Sequence, residues 1–203
     1  MHLVFFLITL LISTSVRADM EDAIRAVQEG RNADALYEFH QYSQHGNPVA
    51  DYWIATMHLQ GRGVEKSIKE AMKWLHRAAQ QDYAPAMVIL GNLHLEGKTG
   101  KVNVQLARGW FDKAAKLKDP YAMLRMGEMY ISGIGIHANP TIGIRYVRQA
   151  AKLGSLHGKH ILGMAYLQGI GVEIDRQKAE FWLKSAAEKG FQPSIDALIS
   201  LQK

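Results

Sequence analysis

The chain has 203 residues, of which 48% are hydrophobic and 21% charged, so it is neither a disordered polymer nor too small to bury a core. It contains no cysteine, which excludes disulfide stapling and a cysteine-linked lipid anchor and leaves packing to hold the fold. The formal charge of +5 is mild and unevenly placed: residues 19–38 carry six acids against Arg25 and Arg31, a balance of −4, and the later chain is correspondingly basic.

Leu3 to Ile12 form an almost unbroken apolar run, too short for a membrane-spanning helix, which needs about 20 residues. Ser13, Thr14 and Ser15 follow, then Val16-Arg17-Ala18, a small-x-small ending suited to signal peptidase. Residues 1–18 are therefore predicted to be a signal peptide, with the mature chain beginning at Asp19. An uncleaved membrane anchor is the rival reading, because only the amino terminus and His2 supply positive charge ahead of the run. The chain ends Leu201-Gln202-Lys203 rather than in an ER-retention signal, so export is expected to lead to a bacterial periplasm. Residues 19–49 read as N-terminal helices and a partial repeat.

From residue 50 onward the sequence repeats every 36 residues, a period typical of helix-pair arrays. Ala86-Met87 returns as Ala122-Met123, and Gly91, Gly127 and Gly163 form a column with Ala55 in the equivalent earlier place. Trp74, Trp110, Tyr146 and Trp182 make a second column. The doublets Ala78-Ala79, Ala114-Ala115, Ala150-Ala151 and Ala186-Ala187 make a third. The units fall at 50–85, 86–121, 122–157 and 158–193. A half unit precedes them, since Ala35 and His40 stand one period before Ala71 and His76.

Each column has a mechanical reason. The first half of a unit, such as 159–168, has helical apolar spacing and ends at Gly61, Gly97, Gly133 or Gly169, residues that take the left-handed conformation without strain. Ser67, Asn103, Asn139 and Asp175 are placed to cap the second helix. Ser67 stands in capping-box spacing with Glu70, and Pro140 fits the first helical position. The glycine column and Ala71, Ala107, Gly143 and Ala179 are small enough to let the two helices approach closely. The aromatic column is expected to fill the space between units. Residues 194–203 are expected to form a capping helix through Ile195, Leu198 and Ile199.

The run Leu162-Gly163-x-x-Tyr166-x-x-Gly169-x-Gly171-Val172-x-x-Asp175-x-x-Lys178-Ala179-x-x-Trp182-x-x-x-Ala186-Ala187-x-x-Gly190 closely resembles the Sel1-like repeat, a relative of the tetratricopeptide repeat. The resemblance covers 50–193 well and 32–49 loosely. It implies an all-α fold, a right-handed α-solenoid of antiparallel helix pairs whose first helices line a concave face. Members of the family typically serve as adaptors in protein complexes. Departures are local: Thr99 replaces the second linker glycine, His58 and His94 replace the usual tyrosine, and Trp53 has no counterpart in the pattern.

The chemistry-bearing motifs are sparse. Gly91 and Gly97-Lys98-Thr99 look like a phosphate-binding loop, but five residues separate the glycines instead of four, and a helix rather than a strand precedes them. Nucleotide binding is not expected. His157 and His160 form an H-x-x-H pair without a third ligand, so no metal is expected, and no cofactor. His58 and His94 read as half-buried packing residues. The common hydrolase signatures are absent, and catalysis is not expected.

The second helices carry Lys73, Arg77, Lys113, Lys116, Arg145, Arg148, Lys152 and Lys184, which read as a solvated convex face or, alternatively, as an attraction for anionic lipid headgroups or an acidic partner. Nucleic acid is not an expected partner of an exported chain. By analogy with the tetratricopeptide groove, the partner-binding positions are Tyr52, Thr56, Asn92, Glu128, His160 and Met164, with Trp53 and Arg125 beside them. These positions change chemistry from unit to unit, and Trp, Tyr and Arg dominate interface energetics. The expected function is an exported scaffold gripping one protein partner, such as an immunity protein facing a toxin or an envelope signalling regulator holding a sensor. A penicillin-binding or β-lactam-hydrolysing activity, proposed for cysteine-rich relatives, is the enzyme alternative, but those relatives pair cysteines in each repeat.

Overall fold

The computed structural model describes residues 20–201, and among these every regular element is helical. Helix α1 covers 20–28, followed by α2 (Asn32–Gln44), α3 (Pro48–Gln60), α4 (Ile68–Ala79) and α5 (Ala84–Leu95). Then come α6 (Val104–Lys116), α7 (Pro120–Ser132), α8 (Pro140–Lys152), α9 (Leu156–Gln168), α10 (Arg176–Ala187) and α11 (Gln192–Leu201). The signal peptide expected at 1–18 lies outside the described residues. No described helix is long and apolar enough to cross a membrane. The chain divides into two compact units, residues 1–86 and 87–203, the division passing through α5. Within each unit, helices pack against their neighbours in chain order, the near-neighbour packing of an α-solenoid.

The turn inside each repeat uses the same positions four times, although in the second repeat the helix stops at Leu95, two residues before its glycine. Gly61, Gly97, Gly133 and Gly169 take φ of 72°, 67°, 75° and 72°, turning the chain out of the first helix in the left-handed region. Ser67, Asn103, Asn139 and Asp175 then accept bonds from the amides of Glu70, Leu106, Ile142 and Lys178 at 2.9–3.2 Å, as the sequence predicts. The reciprocal arm of the capping box is a different matter. Glu70 pairs with Lys73 at 2.7 Å, and the Ser67 amide donates instead to the His58 carbonyl at 2.9 Å. The amides of Asn103, Asn139 and Asp175 likewise donate to the carbonyls of His94, Tyr130 and Tyr166. The donor that a capping-box glutamate would satisfy is already taken by the preceding helix. Asn47, Asp119 and Ser155 cap first helices as well.

The core column is not the one the aromatic spacing points to. Trp74, Trp110, Tyr146 and Trp182 are all half-buried, whereas their next residues, Leu75, Phe111, Val147 and Leu183, are completely buried. Phe111, Val147 and Leu183 face the glycines of the small-residue column. A Cβ on Gly91 would sit 2.6 Å from the Phe111 ring, one on Gly127 2.7 Å from Val147, and one on Gly163 2.7 Å from Leu183. One step along a helix turns a side chain by about 100°, so the aromatic rings lie at the border of the core. There Lys113 stands 4.6 Å above Trp110 and Arg77 5.5 Å above Trp74.

The N-terminal helices form a real part of the first unit. Met20, Ala23, Ala26 and Val27 bury one stripe of α1 against Ala35 and Phe39 of α2 and Ala50, Ile54 and Met57 of α3. At the other end, α11 buries Ser194 fully and Ile195 and Leu198 in part, but Ile199 is 51% exposed. The apolar stripe expected there thus turns by one position, toward the serine.

Candidate functional site

The first-helix positions fall into two chemical neighbourhoods. In the N-terminal unit, Tyr52, Trp53 and Thr56 lie along α3 and are all half-buried. Trp53 stacks on Phe39, with centroids 5.8 Å apart and planes at 4°. Tyr52 meets Trp53 and Tyr83 edge-on at 5.9 and 5.4 Å, and burial pushes the hydroxyl pKa of both tyrosines up. The Thr56 hydroxyl donates to the Trp53 carbonyl at 2.8 Å. The result is an aromatic ledge anchored in the core, with one side open.

In the C-terminal unit these positions are mostly polar. Arg125 and Glu128 of α7 form a one-turn ion pair at 2.7 Å, and the Arg125 guanidinium lies 5.8 Å over the Phe111 ring. Asn92 of α5 and Met164 of α9 are half-buried. His160 is more committed: its Nδ1 is 3.0 Å from the Ser194 hydroxyl and its ring 5.7 Å from Phe191. Burial first, and then His157, lower its pKa. Tyr52 with Tyr83 and His160 with Phe191 are the same register pair three repeats apart, so the fold uses one position twice as an aromatic joint. His157 also approaches Phe191, at 6.0 Å. No cluster of three or more metal-ligating side chains is present among the described residues. His94, in the tyrosine column, is buried and bonds Thr99 at 3.2 Å, and burial lowers its pKa.

The second helices depart from a uniformly solvated basic face at Arg77. Its Nε stands 3.1 Å from Asp51 Oδ2, and it also donates to the Ser43 carbonyl. Asp51 is 0% exposed and receives the Ser43 hydroxyl at 2.6 Å. Arg77 therefore closes a buried polar joint between α2, α3 and α4. The column occupied by Asp51 holds Met87, Met123 and Lys159 elsewhere, so the repeat pattern carries no trace of this acid. Other bases have local partners: Lys116 with Asp112 at 2.7 Å, Lys184 with Glu180 at 3.2 Å, and Arg148 with the Tyr166 hydroxyl at 3.2 Å. Arg145 and Lys152 are exposed and pair with no carboxylate among the described residues.

A family model described as Sel1 repeat matches residues 48–83, 84–119, 120–155 and 158–191. Its first three starts coincide with the first residues of α3, α5 and α7. Among solved structures, the chain is similar to a Sel1 repeat protein from Oxalobacter formigenes (TM-score 0.78, 29% identity, covering 84% of this chain and 49% of that one). It is similar to a protective antigen of uropathogenic Escherichia coli strains with an SLR fold (TM-score 0.78, 25% identity, 90% and 40%). An immunity protein from Pseudomonas aeruginosa shares the fold at 20% identity (TM-score 0.61, 89% and 68%). The chain thus spans about half or less of the length of the first two. A comparison with curated proteins finds no match.

Proposed function

Because the chain belongs to the Sel1 repeat family, whose members are protein-interaction scaffolds and typically not enzymes, we propose that it is an exported scaffold that holds a protein partner against the open sides of its first helices. One observation carries this reading. Thr56, Asn92, Glu128 and Met164 occupy a single column of half-buried positions, yet they are a hydroxyl, an amide, a carboxylate and a thioether. The column holding Leu75, Phe111, Val147 and Leu183 is uniformly apolar and buried. Packing dictates the second column and leaves the first to recognition, with the Tyr52–Trp53 ledge and Arg125 supplying the residue types that anchor interfaces.

The test is capture of a partner from the native periplasm with the wild-type chain and with two sets of variants. Thr56→Ala, Asn92→Ala and Arg125→Ala together should reduce capture while a cooperative melt is retained, since half-buried changes of this kind cost about 1 kcal/mol each. Lys113→Ala with Lys152→Ala should leave capture intact at physiological salt. Loss of capture in the second set alone would place the partner on the second helices. Export itself is checked by N-terminal sequencing of the secreted material, which should begin at Asp19; a chain starting at Met1 would contradict it.

The sharper form of the proposal is an immunity role, neutralising a toxin delivered to the periplasm, in keeping with the fold shared with an immunity protein. Co-expression with a toxin encoded beside it should restore growth, and growth arrest in its presence would count against immunity. A nitrocefin assay with no turnover is the expected result for a scaffold.

A further inference from the structure

We propose that the junction of α6, α7 and α8 holds a second, small-molecule site, for a carboxylate with a planar apolar body, with Arg145 binding the anion and the Tyr130–Tyr146 pair forming the aromatic wall. A cavity of about 380 Å³ opens there, inside the range of roughly 300–1,000 Å³ usual for small-ligand sites. Tyr130 and Tyr146 stack along it with centroids 5.8 Å apart and planes at 13°. Ala115 and Ile142 give it apolar surface, and Lys116, Arg145 and Gln149 give it donors.

The repeat supplies an internal control for each of these residues. The aromatic column reads Trp74, Trp110, Tyr146, Trp182, so only here does a phenol stand in place of an indole, removing ring volume and adding a hydroxyl. The position of Arg145 holds Lys73, Gly109 and Phe181 in the other units. The tyrosine equivalent to Tyr130 in the next unit is already engaged, with Arg148 on its hydroxyl at 3.2 Å and Lys178 over its ring at 5.6 Å. Of the two cations at the cavity, Lys116 is tied to Asp112 at 2.7 Å, whereas Arg145 has no carboxylate partner among the described residues. One uncommitted guanidinium, planar and forked, matches one carboxylate in two-point contact. A single charge of this kind suits a monoanion better than a phosphate dianion. The stacked phenols suit a flat ligand body, which aromatic walls hold by offset or edge contact.

The experiment is an amide NMR titration of the purified protein with benzoate, and with neutral benzamide as the control of equal shape. Benzoate should shift the amides of residues 142–149 saturably, and benzamide should shift them at least about tenfold more weakly, as expected for loss of a charge-assisted contact. Arg145→Gln, an exposed change, should weaken benzoate to the level of benzamide. Tyr146→Trp, which restores the residue of the other units, should fill the cavity and abolish the response with the melting temperature kept or raised. No saturable shift, equal response to the two probes, or unaltered benzoate binding in Arg145→Gln would each overturn the site.

Discussion

Asp51 is a carboxylate without contact with water, held by the Ser43 hydroxyl at 2.6 Å and by Arg77 at 3.1 Å. Burial pushes its pKa up, and the serine and the guanidinium oppose that shift. Arg77→Ala leaves the acid buried and unpaired. A fully buried pair broken this way costs about 3–5 kcal/mol; part of Arg77 stays in water, so about 2–4 kcal/mol at neutral pH is expected. With its partner gone, the folded-state pKa of Asp51 rises further above the unfolded value. The deficit then belongs to the ionised form and shrinks as pH falls and the acid takes a proton. Urea midpoints at pH 7.5 and pH 5 should show the gap between variant and wild type narrowing on acidification; a constant gap would mean that Asp51 is not the origin. Phe111 and Trp110 make a second contrast at this scale. Phe111→Ala removes a completely buried ring and should cost about 3–5 kcal/mol. Trp110→Ala removes a half-buried one and should cost only about 1–2 kcal/mol. Equal losses in urea unfolding would put the two rings in the same environment, against the geometry.

At the scale of the helices, small residues decide how closely a pair can pack, and the two mid-helix glycines 127 and 109 should behave oppositely. A Cβ on Gly127 would lie 2.7 Å from Val147 and 3.0 Å from the Gly143 carbonyl, while one on Gly109 would meet nothing within 4 Å. Gly127→Ala should therefore destabilise by forcing α7 from α8, by about 1–3 kcal/mol. Gly109→Ala should stabilise by up to about 1 kcal/mol, because alanine gives the unfolded chain less freedom to lose. Thermal melts that move in the same direction would refute this. These features were readable beforehand because they recur: the cap residues Ser67, Asn103, Asn139 and Asp175 and the glycine columns each carry a fixed backbone requirement every 36 residues. The first-helix caps Asn47, Asp119 and Ser155 are harder to see, because Tyr83 interrupts their column. The aromatic column misled because period alone cannot separate a core position from its neighbour one step around the helix. Asp51 was invisible, since it breaks its own column and gains meaning only when Ser43 and Arg77 converge on it. The expected partner-binding positions rest on family analogy, and their commitments, such as His160 to Ser194, depend on contacts 34 residues apart.

For the molecule as a whole, stability in a repeat array is close to a sum of local terms, so similar titrations in different repeats add. His40, His94 and His160 each have pKa values lowered mainly by burial; His40 feels His58 and His160 feels His157 as secondary causes. A histidine that resists protonation when folded binds fewer protons than it does unfolded. Its stabilising contribution is complete above the unfolded pKa, about 6.5, and is lost as pH falls through the lower folded value. The ion-paired acids Glu70, Asp175 and Glu180, whose pKa values are lowered chiefly by bonds to lysines, work in the same direction but in the range below ordinary carboxylate values. Asp51 works against them. Between pH 7.5 and 5.5 the histidines therefore set the slope, and the urea midpoint should fall steadily across that window. His94→Gln and His160→Gln in one chain should flatten the fall, since an amide keeps hydrogen-bonding capacity without a titration. A wild-type midpoint that is level from pH 7.5 to 5.5, or a double variant with an undiminished slope, would show that these rings are not the groups that take up protons on unfolding.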